Sequence, residues 1–134
     1  VQEAIDKAEK ARTVYNKLND LDAIEAWVKS QPDGAIVGYV NHQCKCPLSY
    51  YLAANGFQNV QIGNLFDLST FRVGKDDSSQ FLPDIASGIA AYVDDERLPD
   101  EAYEKDADPS LRQPPVTKER MLEIIAEART WDLT

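Results

Sequence analysis

The sequence predicts a small, helix-dominated α+β fold, with a short two-stranded β element around a central strand–helix–strand unit. Three observations predict it. Two short apolar runs, AIVGYV (35–40) and FQNVQIG (57–63), are bounded by turn residues and read as strands. Two such strands do not hold together alone in water. Five stretches space their apolar residues as helices do, which supplies the cover. With 134 residues the chain fits one domain, 1–134, burying roughly two-thirds of the surface its unfolded form exposes. Within it, 19–96 is the expected core. Residues 1–18 and 97–134 are expected at the periphery.

Residues 2–18 read as an amphipathic helix, with Ala4, Ala8, Ala11, Tyr15 and Leu18 at heptad-like spacing among charged residues. That stripe is rich in alanine and therefore thin, so it needs close cover from a neighbour or a partner subunit. Asn19 or Asp20 then caps a second helix whose inner face is Leu21, Ile24, Trp27 and Val28. Pro32 and the Asp33–Gly34 pair stop it. After the first strand, Pro47 suits the first position of a short helix over 47–55, with Leu48, Tyr51 and Leu52 inward. Gly56 is placed to end it in a left-handed conformation, returning Phe57 toward Leu52.

The second strand takes Phe57, Val60 and Ile62 as its apolar positions. Residues 64–80 read mostly as loop, anchored by Leu65, Phe66, Leu68 and Phe71. A helix is expected from about Ser79 to Asp95, with Leu82, Ile85, Ile89 and Val93 in line and Pro83 in its first turn. Residues 97–116 hold four of the seven prolines and little periodicity, which predicts an extended, acidic linker or arm. Thr117 caps a final helix through about Trp131, with Met121, Leu122, Ile125 and Ala128 inward.

Charge excludes several functions. The chain carries 23 acids and 14 bases, a net of −9. Nucleic-acid binding needs a cationic footprint, and here Lys and Arg are dispersed and nearly always beside acids. Direct nucleic-acid contact and attachment to anionic membranes are therefore disfavoured. No apolar run approaches the ~18 residues of a membrane span. The opening VQEAIDKAEKARTVY contains acids and no apolar core, unlike a signal peptide, although the missing initiator Met marks a trimmed chain or part of a longer one. Two cysteines do not make a disulfide scaffold, which suits a reducing cytoplasm. Small size, sparse cysteine and no targeting signal point to a bacterial or phage source.

Two stretches are candidates for chemistry or binding. NHQCKC (41–46) gathers the only histidine, His42, with the only cysteines, Cys44 and Cys46. A thiol capping a helix sits near the positive end of the dipole, which favours the thiolate. Cys46 is then a candidate nucleophile, Cys44 its resolving partner and His42 a base. The spacing opposes this: redox motifs separate their cysteines by two residues, and a C-x-C ring is tight. A zinc site needs four donors and this cluster offers three, so no metal is expected. Buried structural cysteine is the reading that prevails.

The other stretch is DDERLPDEAYEKDAD (94–108). Asp94, Asp95, Glu96, Asp100, Glu101, Glu104, Asp106 and Asp108 stand against Arg97 and Lys105, a net of −6. Its simplest use is as a solvated linker, and its functional use is to meet a basic partner. Asp94 to Glu96 also sit at a helix C-terminus, where acids oppose the dipole. Tyr39, Tyr50, Tyr92, Tyr103 and Trp131 sit at element edges, where the rim of a small core is the favoured reading and an interface anchor the alternative. Phosphate-loop, dinucleotide and G-x-S-x-G motifs are all missing, so no cofactor is expected.

The resulting expectation is a non-catalytic acidic module that binds a protein partner, with a homodimer through 2–18 as a further possibility. Two alternatives stand beside it. One is a thiol-dependent redox or sensor protein using Cys46 with Cys44. The other is a DNA-mimic inhibitor of a DNA-binding protein.

Overall fold

The structure, a computed structural model, describes residues 1–40, 42, 44–63, 70–74, 79–95 and 98–131. It is a helix-dominated α+β fold. Five helices, α1 (Gln2–Leu18), α2 (Leu21–Lys29), α3 (Pro47–Ala54), α4 (Asp84–Asp94) and α5 (Lys118–Ala128), surround two small antiparallel sheets. The strands are β1 (Ile36–Tyr39), β2 (Gln61–Ile62), β3 (Thr70–Arg72), β4 (Gln80–Phe81) and β5 (Pro115–Thr117).

The two strands expected from the sequence do not pair with each other. Strand β1 pairs with β5, setting Ile36 opposite Thr117, Gly38 opposite Val116 and Tyr39 opposite Pro115. Strand β2 instead forms one edge of the sheet β2-β3-β4. It is also shorter than expected, because Asn59 adopts a positive φ of 60° that interrupts the extended backbone. Strand β3 falls in the stretch read as loop, and β4 falls at its end, where the next helix was expected to begin. The expected anchors Leu65, Phe66 and Leu68 lie outside the described residues, whereas Phe71 is buried in β3.

Local chemistry explains most helix limits. Asp20 caps α2 by accepting from the Ala23 amide at 3.0 Å. Helix α3 starts at Pro47, and Gly56 at φ 90° ends it, with the Phe57 amide donating to the Leu52 carbonyl at 2.9 Å. Thr117 caps α5 through the Arg120 amide at 3.2 Å. Helix α4 begins later than expected, at Asp84. Pro83 is its cap rather than part of its first turn, and its ψ of 149° is extended.

Among the described residues, the buried apolar side chains other than Ala102 form one cluster drawn from all five helices and both sheets. Leu18, Ile24, Leu48, Tyr51, Leu52, Ile89, Met121, Ile124 and Ile125 are its largest aliphatic and aromatic members together with Phe71. Tyr51 is buried with its ring against Trp27, and its hydroxyl donates to the Lys17 carbonyl at 3.0 Å, satisfying an acceptor at the open end of α1.

The C-terminal third is more central than its composition implied. Helix α5 packs on both α2 and α4. Its first turn clamps the turn before β1: Lys118 Nζ donates to the Gln31 carbonyl at 2.8 Å, and the Glu119 carboxylate accepts from the Gly34 amide at 3.0 Å. At the other end of the chain, α1 contributes Val14 and Leu18 to the core, with Ala11 packed against it. Residues 1–10 are exposed, Ala4 and Ala8 included, so the expected inner stripe operates only in the last two turns.

Candidate functional site

The loop from β1 to α3 carries His42, Cys44 and Cys46. It is held by the Tyr39 amide, which donates to the Lys45 carbonyl at 2.7 Å. Cys46 occupies the N-cap position that the sequence indicated, with φ −70° and ψ 162°. Its surroundings reverse the electrostatic expectation. The thiol is 8% exposed and packed among the core side chains. Burial pushes its pKa up, and the Asp94 carboxylate at the end of α4 adds to the shift. Hydrogen bonds from the first turn of α3 oppose it and do not win.

The Ser49 hydroxyl donates to the Val60 carbonyl at 3.0 Å and ties α3 to the segment leading into β2. Cys46 Sγ lies 3.4 Å from Ser49 Oγ, a contact in which either atom can donate.

His42 is half-buried, and its Nδ1 accepts from the Cys44 amide at 3.3 Å. Burial lowers its pKa, and the Lys45 ammonium lowers it further, so the neutral ring is favoured. The lone pair a base would use is occupied by the turn itself. Cys44 is exposed, and both cysteines are free thiols. Cys44 lies at the edge of a cleft of about 510 Å³, lined also by Gln58, Asn59, Gln61, Arg72 and Gly74. The sheet positions this wall, with Arg72 donating to Gln61 Oε1 across the β2–β3 pair. Among the described residues, no group of three or more His, Cys, Asp or Glu gathers as metal ligands would.

The acidic stretch is folded rather than extended. A 3-10 turn at Asp100–Tyr103 is followed by a second at Pro109–Arg112, and the two pack together. Ala102 is fully buried, and its carbonyl accepts from Arg112 Nε at 3.0 Å. Asp108 caps the second turn through the Ser110 amide at 3.0 Å, and that bond holds its carboxyl below the ordinary range. Asp95, Asp100, Glu101, Glu104, Asp106 and Asp108 are exposed, whereas Asp94 is half-buried near Cys46. Glu96 lies outside the described residues. Tyr103 stands among these acids at 63% exposure.

The Asp94 carboxylate at the end of α4 acts on Cys46 through its charge, and with burial it favours the neutral thiol. What the sequence reading missed is the cleft beside Cys44. Its signal was the alternation Thr70-Phe71-Arg72-Val73, which is strand-like and places Arg72 opposite in face to Phe71 and Val73. Comparison with protein-family models, with curated proteins and with solved structures returns no match. Among the described residues, no helix is long and apolar enough to cross a membrane.

Proposed function

We propose that this protein is a non-catalytic acidic interaction module of bacterial or phage origin, acting through the acidic stretch 94–108 on a basic protein surface. One observation carries the reading. Within a stretch of net −6, the turn at 100–103 packs on the turn at 109–112 through the buried Ala102 and its bond from Arg112, while Asp100, Glu101, Tyr103, Glu104, Asp106 and Asp108 are exposed. A solvated spacer needs no such anchoring. Carboxylates carried on ordered turns leave less backbone freedom to lose on binding, and an exposed tyrosine among them supplies the apolar contact that charge alone lacks. Charge complementarity of this kind governs encounter rate and partner choice more than affinity.

The test compares the native protein with a variant carrying Asp100→Asn, Glu101→Gln, Glu104→Gln and Asp106→Asn. Both are immobilised and challenged with extract from the source cell, and bound proteins are identified by mass spectrometry. The reading predicts a basic protein retained by the native chain, released by raised salt and lost with the variant. Equal retention by both would reject the segment as the binding surface.

A further inference from the structure

Helix α1 rests on the body through Ala11, Val14 and Leu18, and its first ten residues extend about 15 Å beyond that support. A free helical segment of that length is marginal in water. The side-chain pairs present, Glu3 with Lys7 and Gln2 with Asp6, add little. The projecting helix also shows bulky apolar side chains: Ile5 is 45% exposed and Tyr15 is 40% exposed. With Ala8 and Arg12 between them, they follow a 3-4-3 spacing that places all four on one side of the helix.

Charge identifies the occupant of that face. Helix α1 has three acids (Glu3, Asp6, Glu9) and four bases (Lys7, Lys10, Arg12, Lys17), a net of +1. The remainder of the chain holds twenty acids against ten bases, a net of −10. Two copies approaching through any strongly acidic surface repel one another, and α1 is where that repulsion is absent. The order along the helix selects direction. Acids lead and bases follow, so a reversed copy sets acid-rich against base-rich halves, while a parallel copy stacks like charges.

We infer that the exposed face of α1 pairs with the same face of a second copy, antiparallel about a two-fold axis, with Ile5 of each facing Tyr15 of the other. The symmetry makes the apolar contact twice. Ala8 is small enough to let the backbones approach between the two contacts. One helix against one helix is smaller than the roughly 800 Å² per partner of a standard interface, so the dimer is weak, with Kd on the order of micromolar or above. The inference is independent of the acidic segment at 94–108.

Sedimentation velocity on the full chain, from about 5 μM to about 1 mM, should show a reversible monomer–dimer equilibrium. Ile5→Lys should raise Kd about tenfold or more. Ile5 is exposed, so this variant stays folded. Direction is read in a Cys44→Ser background, which removes the exposed thiol. Under mild oxidation, Ile5→Cys mixed with Tyr15→Cys should yield a disulfide-linked pair, and Ile5→Cys alone should remain monomeric. A monomer throughout the range would assign the face to a different protein and overturn the inference. A dimer untouched by Ile5→Lys, or self-linking of Ile5→Cys, would overturn it equally.

Discussion

Gly38→Ala puts a methyl group where the loop carrying Cys46 meets the sheet. Gly38 lies in β1 opposite Val116 of β5, and the first turn of α3 packs against it. A Cβ built on Gly38 would lie 2.4 Å from the Pro47 nitrogen and 2.7 Å from both Cα and Cδ of Pro47. Two of those three atoms are backbone and the third closes the proline ring, so no side-chain rotation relieves the clash. Either β1 or the start of α3 must move. Overpacking a well-filled core costs about 1–3 kcal/mol, and a rigid obstacle places this site at the upper end, about 3 kcal/mol. For a chain of 134 residues that loss lowers Tm by roughly 10 °C. Gly34→Ala is the control. Its φ is +75°, but nothing lies within 4 Å of its Cβ, so it carries only backbone strain of about 1 kcal/mol. Urea and thermal unfolding followed by circular dichroism rank the two. If Gly38→Ala unfolds within about 0.5 kcal/mol of the native protein, the close seating of α3 on β1 is refuted, and with it the enclosure of Cys46.

Further outcomes follow from the same geometry. A thiol-alkylating reagent should label Cys44 rapidly in the folded protein and reach Cys46 only on unfolding, which peptide mass spectrometry resolves; rapid native labelling of Cys46 would contradict its burial. Above about pH 8.5 the unfolded chain releases a thiol proton that folded Cys46 keeps, so stability should fall as pH rises. The slope is at most about 1.4 kcal/mol per pH unit, and Cys46→Ala should flatten it below pH ~10, where tyrosines begin to contribute. Ile124→Ala should cost about 2–5 kcal/mol in urea unfolding, because α5 belongs to the core rather than the margin. Tyr51→Phe, which keeps the buried ring and removes the bond to the Lys17 carbonyl, should cost about 1 kcal/mol.

Local signals carried the helices and their ends. Asp20, Pro47, Gly56 and Thr117 each act within a few residues of themselves, so their roles are visible along the chain. Pairing acts at a distance and is not visible. The partner of β1 lies some 80 residues away in β5, where Pro114 and Pro115 disguise a strand holding one buried side chain, Val116. The same long reach moved α5 from the expected margin into the centre. Strands of two or three residues, such as β4 and β3, are too short for periodicity to detect. The α1 stripe shows a converse failure. Helical spacing of Ala4 and Ala8 marks a face that faces solvent, because periodicity describes a helix and not what it is packed against.

The loop at 41–46 shows why a correct position did not yield a correct chemistry. The sequence placed Cys46 at the cap of a helix, and it is there. The dipole at that position contributes about 0.3–1 kcal/mol toward a negative charge near a surface. Excluding that charge from water costs several times more, and nothing local in the sequence reports burial. Burial here comes from β1, from α3 and from the Ser49–Val60 bond, and the carboxylate that acts on the thiol, Asp94, belongs to a helix 48 residues further along the chain. A negative charge acting on a cysteine favours the neutral thiol, so Asp94 works in the same direction as burial. That arrangement leaves Cys44 as the accessible thiol and leaves Asp100, Glu101, Glu104, Asp106 and Asp108 on the outer surface. If the proposed reading holds, the turns at 100–103 and 109–112 are where a partner's footprint should be sought first.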